Sequence, residues 1–202
     1  MAIELEYKLA VPSAALLEQI LFDKQLAEVR TEGFRMYDMA TVYYDTADRV
    51  LKQKRWTLRL RQENHLLVAT LKTPAGGRAR AEYECEAASI PAAIPLLLAQ
   101  GAPEALGELD GDALQPLCTA QFTRRAANLQ FADGTVCELA GDIGMLAGGK
   151  KQENLCEVEL ELKSGSADVV KAFADKLMKR FGLQEEPRSK FARAAALAEE
   201  DA

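Results

Sequence analysis

The segment IELEYKL (Ile3–Leu9) alternates apolar and charged residues with a period of two, and CEVELELK (Cys156–Lys163) repeats the pattern far along the chain. A period of two belongs to a β-strand, whose successive side chains point to opposite faces. Glu4, Glu6 and Lys8 therefore share one face of the first strand, while Ile3, Leu5, Tyr7 and Leu9 share the other. In the second strand Glu157, Glu159, Glu161 and Lys163 stand opposite Val158, Leu160 and Leu162. A half-buried strand ordinarily turns its charges to water. Here one carboxylate follows another on a single face, and like charges repel across a sheet unless something compensates them. Solubility alone is better served by interspersed signs.

The same alternation recurs with the opposite sign. Arg59 and Arg61 alternate with Leu58 and Leu60 in RWTLRLRQ, while Arg80, Glu82, Glu84 and Glu86 alternate with Ala81, Tyr83 and Cys85 in RARAEYECEA. Lys72 closes ATLK, and Arg124 lies in FTRR. Amphipathic segments flank these strands. SAALLEQILFDKQLAE opens at Ser13, a candidate N-cap, and SADVVKAFADKLMKRFG ends at Gly182, a candidate C-cap. The chain closes on SKFARAAALAEE. Helices of this kind must cover apolar sheet surface, and if they pack outside a rolled sheet the charged faces point inward. The expectation is an α+β fold: an eight-stranded antiparallel closed β-barrel with helices packed outside and a charged lumen. FRMYDMATVYYDT reads as two strands' worth of β-formers, Glu63-Asn64-His65 as a hairpin turn, and Asp133-Gly134 as another turn.

Composition narrows the function. The 202 residues carry 25 basic and 31 acidic side chains, a net charge of −6, which argues against a nucleic-acid or anionic-membrane binder. No apolar run approaches the ~18 residues of a bilayer span, and no signal-peptide pattern opens the chain. Cys85, Cys118, Cys137 and Cys156 are scattered without metal-binding spacing, which suits reduced thiols in the cytoplasm. His65 is the sole histidine and sits in a turn, so nucleophile schemes that need an imidazole base have none to use. Lumenal carboxylates beside guanidinium groups suit a polyphosphate with a divalent metal: hard oxygen ligands hold Mg²⁺ or Mn²⁺, and arginine forks hold phosphate oxygens.

The residues also resemble a known family. IELEYKL resembles the ExExK signature of the CYTH domain, the superfamily of triphosphate tunnel metalloenzymes. YYDT (Tyr43 to Thr46), LRLR, the TLK lysine, RAEYE, FTRR, GD ending at Asp142, CEVELEL and SKFAR follow in the family's order. The likeness is strongest to the N-terminal domain of bacterial inorganic triphosphatases that carry a C-terminal CHAD domain. Residues 1–202 read as one CYTH domain with no CHAD domain. The resemblance implies that Glu4, Glu6, Glu157, Glu159 and Glu161 hold Mg²⁺ or Mn²⁺. It implies that Lys8, Arg59, Arg61, Lys72, Arg124, Lys190 and Arg193 hold the triphosphate, and that Arg80, Glu82, Glu84 and Asp142 line the tunnel. The family often has a basic residue two positions after Arg124, where this chain has Ala126, while Arg125 points to the other face of a regular strand. The implied reaction is metal-dependent hydrolysis of inorganic triphosphate to pyrophosphate and phosphate. One of the metal-site glutamates, or a metal-bound water, acts as base. Class IV adenylate cyclase, a thiamine or nucleoside triphosphatase, and a non-catalytic polyphosphate or nucleotide sensor are the alternatives. Trp56 offers the ring-bearing substrates a stacking surface, or packs beneath a helix.

Overall fold

Two-faced strands need two environments, and the chain supplies them by rolling one antiparallel sheet round a charged interior. A computed structural model describes residues 2–77 and 79–199, with residues 2–4 described by their backbone alone. The strands are β1 (Ala2–Glu4), β2 (Glu6–Ala10), β3 (Arg35–Asp45), β4 (Thr57–Glu63), β5 (Leu66–Pro74), β6 (Arg80–Glu86), β7 (Gln115–Gln130), β8 (Val136–Gly148), β9 (Lys151–Ser164) and β10 (Gln184–Glu185). Their hydrogen-bonded order is β1-β6-β5-β4-β3-β7-β8-β9-β2-β10.

The two ends of that order meet in the N-terminal segment. β1 pairs with β6, β2 pairs with β9, and Leu5 between them accepts a bond from the Leu162 amide. Residues 2–10 thus change partner halfway along. The wall returns on itself through this shared strand rather than through an unbroken ring of ladder bonds. With β1 and β2 taken as one strand, the expected eight strands are present, and the two-residue β10 is added beside β2. FRMYDMATVYYDT, read as two strands, forms the single 11-residue β3, its pairing with β7 shifted between Tyr43 and Tyr44. The Asn64-His65 turn joins β4 to β5, with Asn64 in the left-handed region at φ 53° and His65 exposed.

The helices are α1 (Ala14–Leu21), α2 (Lys24–Val29), α3 (Val50–Gln53), α4 (Ile90–Ala99), α5 (Ala167–Phe181) and α6 (Lys190–Glu199). Ser13 caps α1 by accepting from the Leu16 amide, and Gly182 ends α5 at φ 66°. Two apolar clusters form the outer layer. Leu9, Val158 and Leu160 pack with Leu17, Ile20 and Leu21 of α1 and Val170, Ala174 and Leu177 of α5. Leu58, Leu71 and Tyr83 pack with Ile90, Ala93 and Leu97 of α4, and Trp56 joins this outer cluster. Each fully buried leucine contributes about 1.5–3 kcal/mol of transfer free energy.

The last helix departs from the expectation that helices pack outside. Ala194 of α6 belongs to a third cluster with Met39, Tyr43, Ala120, Phe122, Leu146 and Leu155. These sit on the strand faces that, two residues along β7, carry Arg124, so α6 lies against the inner face. Gly148 makes room for it: a Cβ there would stand 2.2 Å from the Ala194 carbonyl oxygen. Helical periodicity shows which side of α6 is apolar but not which side of the sheet receives it. No helix among the described residues is long and apolar enough to cross a membrane.

Candidate functional site

The inner faces enclose a cavity of about 450 Å³. Glu6 and Lys8 enter it from β2, Arg59 and Arg61 from β4, Lys72 from β5, Arg80, Glu82 and Glu84 from β6, Arg124 from β7, Glu159 and Glu161 from β9, and Lys190 from α6. The even spacing read from the sequence places each of the strand residues on the inner face of its strand. Arg125, one residue out of step, turns outward and bonds Glu18 of α1. Three of the expected residues do not reach the cavity wall. Asp142 and Glu157 are fully buried (0% exposed) beneath it, and Arg193 is held against Glu153 and Glu157. The side chain of Glu4 falls outside the described residues.

Beneath the cavity lies a buried ionic clasp. Asp142, Glu157 and Glu159 bring carboxylate oxygens within 4.8 Å of one another, a spacing that could hold a metal ion. The Lys190 ammonium already occupies the middle of the group, at 2.7 Å from Asp142, 2.5 Å from Glu157 and 2.8 Å from Glu159. Arg124 takes both Asp142 oxygens at 2.8 and 2.7 Å and also bonds Glu159, while Arg193 takes the second Glu157 oxygen at 2.8 Å. Every carboxylate oxygen of the trio has a donor. Burial alone would lower Lys190, but Asp142, Glu159 and Glu157 hold it above its ordinary value. Burial alone would raise Glu159, yet Lys190, Arg124 and Lys8 hold it well below the usual carboxylate range. The trio as folded is an ammonium site.

Above the clasp the balance reverses. Burial, with the charges of Arg59 and Arg124, pushes Arg61 down to about 10, so it stays charged at neutral pH but is repelled by its neighbours. Its Nε donates to Thr41 at 3.1 Å, and its nearest carboxylate is Glu63 at 3.3 Å. Arg59 approaches Glu82 and Glu84 only at 3.9 and 3.7 Å, and its buried Nε has no hydrogen-bond acceptor among the described residues. Lys72 lies 3.3 Å from Glu82. Phe122 forms an aromatic base with Arg61, Arg124 and Lys190 at 6.0, 5.7 and 5.1 Å from its ring centre. Crowded cations with long contacts form a site that an anion stabilises.

A row of carboxylates crosses the wall beside these cations. Glu138, Glu161 and Glu6 are directly opposed on the adjacent strands β8, β9 and β2. Lys8 bonds Glu6 at 2.5 Å, and Lys163 bonds Glu161 at 2.9 Å. Glu138 has only longer contacts, to Arg35 at 3.3 Å and Lys163 at 4.0 Å. Hard oxygen donors facing a cavity fit Mg²⁺ or Mn²⁺. The metal-ligand set expected from the sequence is therefore divided. Glu6 and Glu161 face the open row, Glu157 is consumed by the clasp, and Glu159 stands between the two.

The cavity also contains Lys163, whose face the alternation gave without a role, and residues that the sequence did not single out, among them Tyr37, Glu63, Glu138 and Glu186. Glu138 is an isolated acid in TVCELAGD, and only hairpin register shows that it opposes Glu161. Counting back from the turn that joins β8 to β9 at Gly149-Lys150 would have found it.

A family model described as "CYTH domain" matches residues 2–195. An inorganic triphosphatase from Haemophilus influenzae is 28% identical over 185 residues, covering 86% of this chain but 49% of that protein. The chain thus spans about half the length of this curated relative. Two solved structures share the fold. One, from Hippeastrum, is a candidate adenylyl cyclase that reveals a dominant triphosphatase activity (TM-score 0.61, 20% identity, 97% of this chain and 96% of that one). The other, from Bacillus halodurans, is a candidate adenylate cyclase (TM-score 0.60, 18% identity, 94% and 96%).

Proposed function

Because the chain belongs to the CYTH domain family, we propose that its barrel is an enzyme site for metal-dependent hydrolysis of inorganic triphosphate to pyrophosphate and phosphate. The observation that carries this reading is the crowding of Arg59, Arg61 and Arg124 on one wall, facing the Glu6–Glu161–Glu138 row. Arg59 and Arg61, whose carboxylate contacts are no shorter than 3.3 Å, suit a polyanion, and the row of carboxylates suits its counter-cation. The inorganic triphosphatase from Haemophilus influenzae supports the choice of substrate.

Arg59, Arg61, Lys72 and Arg124 would bind and orient the phosphate oxygens, with Lys8 beside them and Lys190 reaching from the clasp. Glu6, Glu159 and Glu161, with Glu4, would hold Mg²⁺ or Mn²⁺. When bound, the ion neutralises phosphate charge and favours attack by water. The water oxygen forms the new bond to a terminal phosphorus as the bridging P–O bond breaks, and its electron pair leaves with pyrophosphate. A wall carboxylate accepts the water's proton. Arg59 and Arg61 stabilise charge developing on the leaving group, so the gain lies in positioning and electrostatics. Trp56 packs in the outer cluster, with Lys54 Nζ 5.3 Å from its ring centre, and this supports a substrate without an adenine or thiamine ring. The four free cysteines suit a cytoplasmic protein.

The test is release of phosphate and of cyclic AMP from tripolyphosphate, ATP and thiamine triphosphate, with Mg²⁺, Mn²⁺ or a chelator. The expected result is metal-dependent phosphate release, fastest from tripolyphosphate. Cyclic AMP from ATP would favour the cyclase, and binding without turnover a sensor. Full Mg²⁺-dependent activity in Glu161→Gln would overturn the metal assignment.

A further inference from the structure

Lys163 ends the charged face of β9 two residues beyond Glu161, and neither the expected ligand set nor the phosphate-binding set includes it. Its ammonium lies 2.9 Å from Glu161 and 4.0 Å from Glu138, and so spans two acids of the cross-strand row. The Glu82 charge on β6 also acts on it, so the group faces into the cavity rather than away from it. Directly opposed residues of an antiparallel ladder hold their Cβ atoms about 4.5–5.5 Å apart, close enough for glutamates on neighbouring strands to share one cation. The position between Glu161 and Glu138 is therefore where a bridging ion would be bound, and a lysine side chain reaches it.

We propose that Lys163 is a resident counter-cation that competes with the divalent metal for Glu161, and that Glu138 is a further metal ligand. The inference rests on the metal-dependent reading above. Lys163 differs from Lys190 in the way that makes exchange feasible. Lys190 is 6% exposed and touches three carboxylates, whereas the Lys163 side chain is 40% exposed and has one short contact. A flexible, partly solvated ammonium can move aside at little cost. It keeps the Glu138–Glu161 pair from repelling while no metal is present, and it weakens metal binding by the same interaction. Lys163 acts through the carboxylates and is a positioning residue, not a catalytic one.

The experiment is titration of the folded protein with Mn²⁺ alone, followed by electron paramagnetic resonance of free Mn²⁺ and by calorimetry. Wild type, Lys163→Gln, Lys163→Arg, Glu138→Gln and Glu161→Gln are compared, with thermal melts checking that each is folded. Removing one charge next to the site should tighten Mn²⁺ binding in Lys163→Gln about five-fold. Lys163→Arg should stay near wild type, because the charge is restored. Glu138→Gln should weaken binding about ten-fold. Unchanged or weaker Mn²⁺ binding in Lys163→Gln would overturn the competition, and unchanged binding in Glu138→Gln would remove that ligand. If Glu161→Gln alone abolished binding, the metal reading would survive and this inference would fall. No Mn²⁺ binding by the wild-type protein would overturn both.

Discussion

Arg61 shows most plainly how a single side chain can favour ligand over fold. It is almost fully buried, its neighbours Arg59 and Arg124 repel it, and its partners are a threonine hydroxyl and one carboxylate at 3.3 Å. Arg61→Gln should therefore leave the melting temperature unchanged or slightly higher. It should weaken triphosphate binding about 10- to 100-fold, the value of one or two charge-assisted hydrogen bonds. Paired measurements of thermal unfolding and KM check both halves, and a large loss of stability would show that Arg61 is structural. At this scale much of the site was legible, because strand parity assigns a face to every residue. Arg59, Arg61, Arg124, Glu159 and Glu161 follow from it, as does the outward turn of Arg125. Parity does not report depth. It gave no sign that Asp142 and Glu157 would be sealed beneath the cavity, since that depends on a lysine arriving from a helix far along the chain.

Among the elements, α6 acts as an inward-facing wedge clasped by charge. Lys190→Ala would leave Asp142, Glu157 and Glu159 buried with one cation fewer, and removing one partner of such a group costs about 3–5 kcal/mol. Urea unfolding should show a loss of that order, partly recovered when Glu157→Gln is added. An unchanged midpoint would mean that water enters the clasp at will. Gly148→Val tests the apolar side of the same contact. Its Cβ would meet the Ala194 carbonyl oxygen and the Ala198 amide, and the strain of overpacking is about 1–3 kcal/mol. The segment leading into α6 carries an ion pair of its own, Glu186 with Arg188. Glu186 takes three bonds from Arg188, and these, led by the side-chain bonds, hold its carboxyl down to about 2 from an ordinary 4.5. A depressed carboxylate stabilises the fold above its unfolded value and ceases to do so as pH falls through its folded one. The melting difference between wild type and Glu186→Gln should thus be complete above pH 4.5 and shrink toward pH 2. A difference constant across that window would show that the pair contributes nothing. The capped ends of α1 and α5 could be read from Ser13 and Gly182. The inward docking of α6 could not, because amphipathicity names a face without naming its partner.

For the whole molecule, the decisive quantity is the balance of charge in the cavity. Among the described residues eight acidic and eight basic side chains line it, so that part of the wall is close to neutral. A triphosphate carries several negative charges and gains from Arg59, Arg61 and Arg124 only by approaching the carboxylates opposite. Tripolyphosphate should therefore bind at least roughly ten-fold more weakly with chelator than with Mg²⁺. Calorimetric titration under both conditions measures the ratio, and equal affinities would mean that the carboxylate row only balances the arginines.

The strand shared between β6 and β9 also sets an order of events during synthesis. Residues 6–10 are made long before their partner β9, which begins at Lys151. At about 5–20 residues per second, the ribosome leaves β2 without that partner for roughly seven to thirty seconds. Pairing across so long a loop is slow in any case, because chain entropy is lost before contacts form. The wall is therefore sealed when β9 reaches β2, and until then that edge of β2 is open. Glu6 and Lys8, which later face the cavity, are charges of the kind that discourage another chain from pairing at an open edge.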